Sequence, residues 1–306
     1  MAVKTWLQKV RALISKPMFR GAVGGLVIVS SLGYMVHTLI RNWSELVTYE
    51  WQIDCGQVAL AFISYSASLM LAILGWSQIT GRLTQVTDRR KHLKYYVYAR
   101  LIRRFPAPLL YVLGRMYLYK REGVDGSRIA VVSLLEWVVI VLSGTVVCLL
   151  ILPFLPLPAF WRSPWIPLGI LVFGTLLIHP RLVQVLLRLL GQKESPIHFG
   201  YGDVLAWVGV YSLVWIGGGV ILYAVINSLS HLPLSHLPTV IGIWTLSGLA
   251  ASLAFALSVG FGIKELTLVL LLEHMMPSSL AVVVALSVRL CTALFEVIWG
   301  VIALKL

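Results

Sequence analysis

A chain of 306 residues that is 59% apolar and only 12% charged, with a mean hydropathy of +0.89, cannot cover itself with polar groups in water. Soluble domains carry about 25% charged residues, so a water-soluble fold is excluded and lipid must solvate the surface. The formal charge of +13 is concentrated in two segments. Residues 1–20 hold Lys4, Lys9, Arg11, Lys16 and Arg20 without an acid, and residues 81–104 hold eight basic side chains against Asp88, a net +7. Membrane proteins keep Lys and Arg on cytoplasmic loops. No nucleic-acid-binding module accompanies the charge, so nucleic acid is not an expected partner.

Cys55, Cys148 and Cys291 are far apart and form no CxxC pair, which gives no support to a zinc ribbon or a redox motif. No HExxH, GxSxG or Walker A pattern occurs. These motifs carry metal, acyl-transfer and nucleotide chemistry, so the expectation is no enzyme, no catalytic residue, no metal and no cofactor. His231 and His236 share one turn and are weak metal candidates.

In chain order, Val3, Trp6, Leu7, Val10, Leu13 and Ile14 fall on one helical stripe with the basic residues off it. Residues 1–16 therefore read as an amphipathic helix on the cytoplasmic surface, the alternative being an unstructured basic leader. A spanning helix needs about 20 mainly apolar residues, and residues 21–40 and 57–79 qualify. The loop between them carries Arg41 against Glu45, Glu50 and Asp54 and belongs outside, whereas 81–104 belongs inside. Tyr95, Tyr96 and Tyr98 in that basic segment read as an interfacial belt. Residues 105–120 are apolar but short, with Pro106, Pro108, Gly114 and Arg115. They read as a segment that dips in and returns, or as a surface amphipathic helix.

Further spans are expected over 128–152, 165–187, 204–229, 239–259 and 279–304. Gly217–Gly219 would permit close packing or a bend, and Asp203 reads as a helix cap. Residues 260–277 are again short, apolar and charged. The fold class is thus all-α, a polytopic membrane helical bundle with about seven spans plus two short re-entrant or broken segments. Residues 1–20 form the basic helix and 21–306 one transmembrane domain, with halves near 21–152 and 165–306.

Charges inside apolar segments are costly, about 2.5–3.5 kcal/mol each at a helix centre on insertion scales. Here they are Arg115, Glu136, Lys264, Glu265, Glu273, Arg289 and Glu296. Each half holds a short glycine-containing charged segment followed by a span bearing charge, Glu136 in one and Arg289 in the other. Paired broken segments of this kind mark transporter-type folds with internal repeats. Arg115 and Arg289 could contact a lipid phosphate, or Arg115, Glu136, Glu265 and Arg289 could simply pair with one another in a buried cluster.

GRMYLYKREGVDGSRIAVVSLLE (114–136) and GFGIKELTLVLLLEHMMPSSLAVVVALSVRL (260–290) resemble the two signatures of the lysylphosphatidylglycerol synthase transmembrane region family. Matching positions are Gly114, Arg115, Gly123, Glu136, Gly260, Gly262, Lys264, Glu265 and Arg289. Ser258-Val259-Gly260 stands where the family has Pro-Gly, and Lys264 replaces a usual arginine. The resemblance implies a flippase-like membrane domain of the bacterial or archaeal inner membrane. Arg115, Glu136, Lys264, Glu265 and Arg289 would bind substrate, and Gly114, Gly123, Gly260 and Gly262 would be structural. A soluble aminoacyl-transfer domain does not fit within 306 residues, so synthase activity is not carried over. The expected function is binding and translocation of a phospholipid or lipid-linked substrate between leaflets. The expected partners are membrane lipids with an anionic or phosphate-bearing headgroup, and a homo-oligomer or a membrane enzyme. The alternative is a non-transporting accessory subunit of a membrane-bound glycosyltransferase or lipid synthase.

Overall fold

The computed structural model describes residue 30 and residues 33–49, 53–84, 86–102, 108–155, 165–189, 199–256 and 262–305. The expected basic helix over 1–16, most of the 21–40 span and Gly260 lie outside the described residues. Every regular element among the described residues is helical. Residues 33–41 are helical. They are followed by α1 (Trp43–Thr48), α2 (Cys55–Thr84), α3 (Arg89–Ile102), α4 (Pro108–Lys120), α5 (Gly126–Ile151) and α6 (Trp165–Leu177). The chain continues with α7 (Pro180–Leu189), α8 (Tyr201–Asn227), α9 (Leu237–Ala256), α10 (Ile263–Leu272) and α11 (Ser278–Lys305).

All four aspartates of the sequence stand at helix N-termini, where a carboxylate satisfies orphan backbone N–H groups. Asp54 accepts from Gly56 N at 2.7 Å, Asp88 from Arg90 N at 3.0 Å, and Asp125 from Ser127 N at 2.7 Å. Asp203 closes a capping box with Gly200 N at 2.9 Å, the role expected for it. The aspartates are thereby explained by local structure, and the glutamates are left as the acids within apolar segments.

Five helices are long and apolar enough to cross a membrane, namely Cys55–Thr84, Gly126–Phe154, Tyr201–Asn227, Leu234–Ala254 and Ser278–Lys305. The expected continuous span over 165–187 is instead two helices. Pro180 has no N–H to donate, and its ring collides with the carbonyl four residues back. His179 N turns to Leu176 O, and His179 Nδ1 accepts from Arg181 N to start α7. The 13 residues of α6 extend only about 20 Å, short of a hydrocarbon core about 30 Å thick. The same arithmetic applies to α4 and α10, with 13 and 10 residues.

The chain divides into two compact units, Met1–Glu50 with Ser247–Leu286 and Trp51–Leu246 with Ser287–Leu306. Each is built from two separate stretches of the sequence. In the first, Gly262 takes the left-handed conformation (φ 86°) that starts α10, a backbone state that costs a residue with a Cβ. Leu268, Val269, Leu271 and Leu272 are buried along α10, and Tyr34 donates to Glu273 Oε1 at 2.7 Å.

In the second unit α8 packs on α2 and α5. Close approach needs glycine: a Cβ at Gly217 would strike Ser68 of α2, while one at Gly218 would strike Trp244 and one at Gly219 would strike Ile241, both of α9. Close packing is thus the role of the 217–219 run. Residues 89–102, expected as part of a basic cytoplasmic loop, form α3 and pack on α2 and α4. Tyr96 faces Trp76 while Arg100 reaches back to Tyr65, so α3 runs antiparallel to α2. Lys91 and Tyr95 meet Glu122, and Tyr96 meets Arg115, so α3 and α4 form an antiparallel helical hairpin.

A buried arginine–glutamate centre under an aromatic cage

Arg115 of α4 and Glu136 of α5 form a salt bridge, Nη1 to Oε2 at 2.5 Å, with side chains 0% and 2% exposed. Tyr111, one turn before Arg115, donates to the same Oε2 at 3.2 Å, and Tyr211 of α8 donates to Oε1 at 2.7 Å. The guanidinium carbon lies 3.6 Å from the Trp76 ring centroid, 4.2 Å from that of Tyr111 and 4.9 Å from that of Tyr96. Aromatic faces attract a desolvated cation by about 2 kcal/mol, so the rings stabilise Arg115 where water cannot. Nη1 is used by Glu136, but Nε and Nη2 are buried with no hydrogen-bond acceptor. These two N–H groups form one edge of the planar fork, the geometry that binds a carboxylate or phosphate through two oxygens.

The depth of this centre follows from helix geometry. Trp76 stands eight residues from the Thr84 end of α2, Glu136 ten from the Gly126 end of α5, and Tyr211 ten from the Tyr201 end of α8. At 1.5 Å per residue each lies about 12–15 Å inside its helix, near half the hydrocarbon thickness. One turn nearer those ends, Thr80 shares the face of Trp76 and Ser133 that of Glu136 by helical spacing. Both hydroxyls are also buried without a hydrogen-bond partner.

A second chain of bonds begins on the other side of Trp76. Its Nε1 donates to Tyr119 Oη at 2.7 Å, and Tyr119 lies 2.6 Å from His92 Nδ1, while His92 Nε2 is 2.9 Å from Val86 O. A carbonyl only accepts, so Nε2 carries the proton toward Val86, and Nδ1 is left to accept from Tyr119. Burial holds His92 below the usual histidine range, which fits the neutral ring this arrangement needs. At the base of the hairpin Glu122 accepts from Lys91 and Tyr95, bonds that hold its carboxyl below the usual range. Burial pushes the Tyr95 hydroxyl up to about 12.

Of the expected site residues, Arg115 and Glu136 come together. Gly123 takes φ 75° in the turn joining α4 to α5, a conformation that favours glycine. Gly114 sits in the middle of α4. Lys264 and Glu265 are half-buried in the first turn of α10, in the other unit. Arg289 is half-buried on α11. The described hydrogen bonds to the Glu136 carboxylate come from Arg115, Tyr111 and Tyr211.

In the sequence Trp76, Tyr111 and Tyr211 look like ordinary apolar positions until their partners are known. Tyr95, Tyr96 and Tyr98 are expected in a headgroup belt. Instead Tyr96 is buried against Arg115, Tyr95 bonds Glu122, and Tyr98 donates to Ala303 O at 3.4 Å. A further ion pair joins Arg100 Nε to Glu296 Oε1 at 3.1 Å, with Arg100 over the Tyr65 ring. The clue to it was Glu296 alone, an acid with no reason to stand in an apolar helix. Among the described residues no group of three or more His, Cys, Asp or Glu side chains is placed to hold a metal ion. No family model matches the chain, and no curated protein matches it.

Proposed function

We propose that this chain is a lipid-handling membrane protein that binds a phosphate-bearing lipid at Arg115 and translocates it between leaflets. The observation that carries the reading is the Nε–Nη2 edge of Arg115, a two-pronged oxyanion donor buried among apolar helices with no acceptor. An unmatched donor pair at that depth is costly unless a ligand uses it. The row of unpartnered hydroxyls at Thr80 and Ser133 extends the polar character toward the Thr84 and Gly126 ends. The paired signatures around 114–136 and 260–290 support the same reading, through their resemblance to the lysylphosphatidylglycerol synthase transmembrane region family. Lys264, Glu265 and Arg289 enter as substrate contacts on that resemblance alone. The charge pattern supports a cell-membrane location with the N-terminus in the cytoplasm.

The test is reconstitution into vesicles containing a fluorescent phosphatidylglycerol, with leaflet exchange read by dithionite quenching. Wild-type protein should accelerate exchange. Arg115→Lys keeps the charge but loses the fork and should slow exchange at least tenfold. If no lipid moves and a glycosyltransferase or lipid synthase co-purifies in fixed ratio, the accessory-subunit reading replaces this one.

A further inference from the structure

The Arg115–Glu136 centre is electrically neutral, one cation against one anion, and both side chains are buried. The other titratable groups facing Glu136 are Tyr111 from α4 and Tyr211 from α8, with Tyr96 next to Arg115 and Tyr119 against Trp76. From α2 the neighbour is Trp76, which does not titrate. Helix α6 brings no titratable side chain to α5, and Arg181 and Arg188 of α7 are exposed. His92 is turned away, with its ring nitrogens on Tyr119 and Val86. Arg115 is already charged and a tyrosine hydroxyl does not hold an extra proton near neutral pH, so Glu136 is the one base in the centre.

A monoanionic phosphate diester on the Nε–Nη2 edge would leave the buried centre with a net negative charge. An uncompensated buried charge is expensive enough that a group changes protonation instead. Resting on the anion-binding reading of Arg115, we propose that each anionic headgroup bound there is accompanied by one proton taken up by Glu136. The proton passes from water to a carboxylate oxygen of Glu136, leaving a neutral carboxyl. Tyr211, which donates to Oε1 at 2.7 Å, can reverse and accept the new O–H. The loaded centre is then Arg115 cation, headgroup anion and neutral Glu136, again without net charge. A protonated Glu136 with no anion would leave Arg115 uncompensated, which is as costly as the reverse. Proton and anion therefore enter and leave together, and the centre works as a proton–anion symport site. Ser133 and Thr80, buried with free hydroxyls one turn nearer the helix ends, mark the polar side from which the proton arrives.

The experiment titrates dihexanoylphosphatidylglycerol into the full-length protein in nanodiscs, by calorimetry in buffers of different ionisation enthalpy. Binding should take up about one proton per lipid, and affinity should fall about tenfold per pH unit on the alkaline side. A short-chain phosphatidylcholine, which carries its own cation, should bind without proton uptake. Inorganic phosphate in a parallel arm distinguishes a free anion from a lipid headgroup as the source of the oxyanion. In Glu136→Gln the lipid should bind with no proton uptake and a flat pH profile. If that variant does not fold, the wild-type proton count still decides. Wild-type binding without proton uptake overturns the coupling and leaves the binding site standing. No binding at any pH overturns both the coupling and the proposed function.

Discussion

Tyr211 reaches Glu136 across the position of Gly75, where a Cβ on α2 would lie 2.6 Å from the tyrosine ring. The missing side chain on one helix is what lets the hydroxyl of another donate to a carboxylate on a third. Gly75→Ala should displace the ring and lengthen the 2.7 Å bond to Oε1. The expected cost is about 1–3 kcal/mol from overpacking. In Tyr211→Ala the same glycine change should cost little, and thermal unfolding of the four proteins measures the difference. Equal penalties in both backgrounds would show that Gly75 serves something other than Tyr211.

Breaking the central pair from either side should be severe. Arg115→Met leaves Glu136 buried without its cation, and Glu136→Gln leaves Arg115 without its anion. Each should destabilise by about 3–5 kcal/mol, and the double change should cost clearly less than the sum. Strict additivity in detergent unfolding would mean the two charges are not coupled.

The His92 chain makes stability depend on pH in a stated direction. The folded protein holds His92 below its ordinary value of 6.5, so the unfolded chain binds the proton more readily. Stability is then present above about pH 6.5 and falls as pH drops below it. Protonation at Nδ1 would also turn the acceptor of the Tyr119 bond into a donor. Melting temperature between pH 7.5 and 5.5 should decline in the wild type and decline less in His92→Gln. A wild-type profile that rises on acidification would contradict the neutral-ring assignment.

Cys55 is exposed at the start of α2, just after the acidic segment that the charge pattern places outside, whereas Cys148 is buried. A membrane-impermeant maleimide added to intact cells should label the wild-type protein, and Cys55→Ser should remove most of that signal. In the Cys55→Ser background Thr87→Cys, exposed in the connection between α2 and α3, should label only after permeabilisation. Labelling at 87 from outside would invert the orientation.

Much of this architecture was legible in one dimension because lipid imposes a strong filter on sequence. Any backbone crossing hydrocarbon must satisfy its own hydrogen bonds and present apolar side chains. Long greasy runs therefore announce α2, α5, α8, α9 and α11, and the cost of a buried charge marks seven side chains, Arg115 and Glu136 among them, before any contact is known. Pro180 was visible too, but its effect was not. Composition over 165–187 averages to a span, whereas one missing N–H decides that α6 ends and α7 begins. The basic run near residue 90 shows a related limit. Its charge dominates any reading by composition, while the buried face of α3 is carried by His92, Tyr96, Val97 and Ala99 in between.

Sequence alone determined that the protein is helical, that it holds runs long and apolar enough to cross a membrane, and that those runs carry charges costly to bury. Only the tertiary structure decided which charge meets which, because pairing depends on the approach of helices remote in the chain. Gly75 and Gly217 allow the close approach of α2 and α8, and Glu136 is reached by Arg115, Tyr111 and Tyr211. Hydrophobic cost is a property of each residue and accumulates along a sequence. A hydrogen bond needs two groups within about 3 Å, and that distance exists only after the helices have packed.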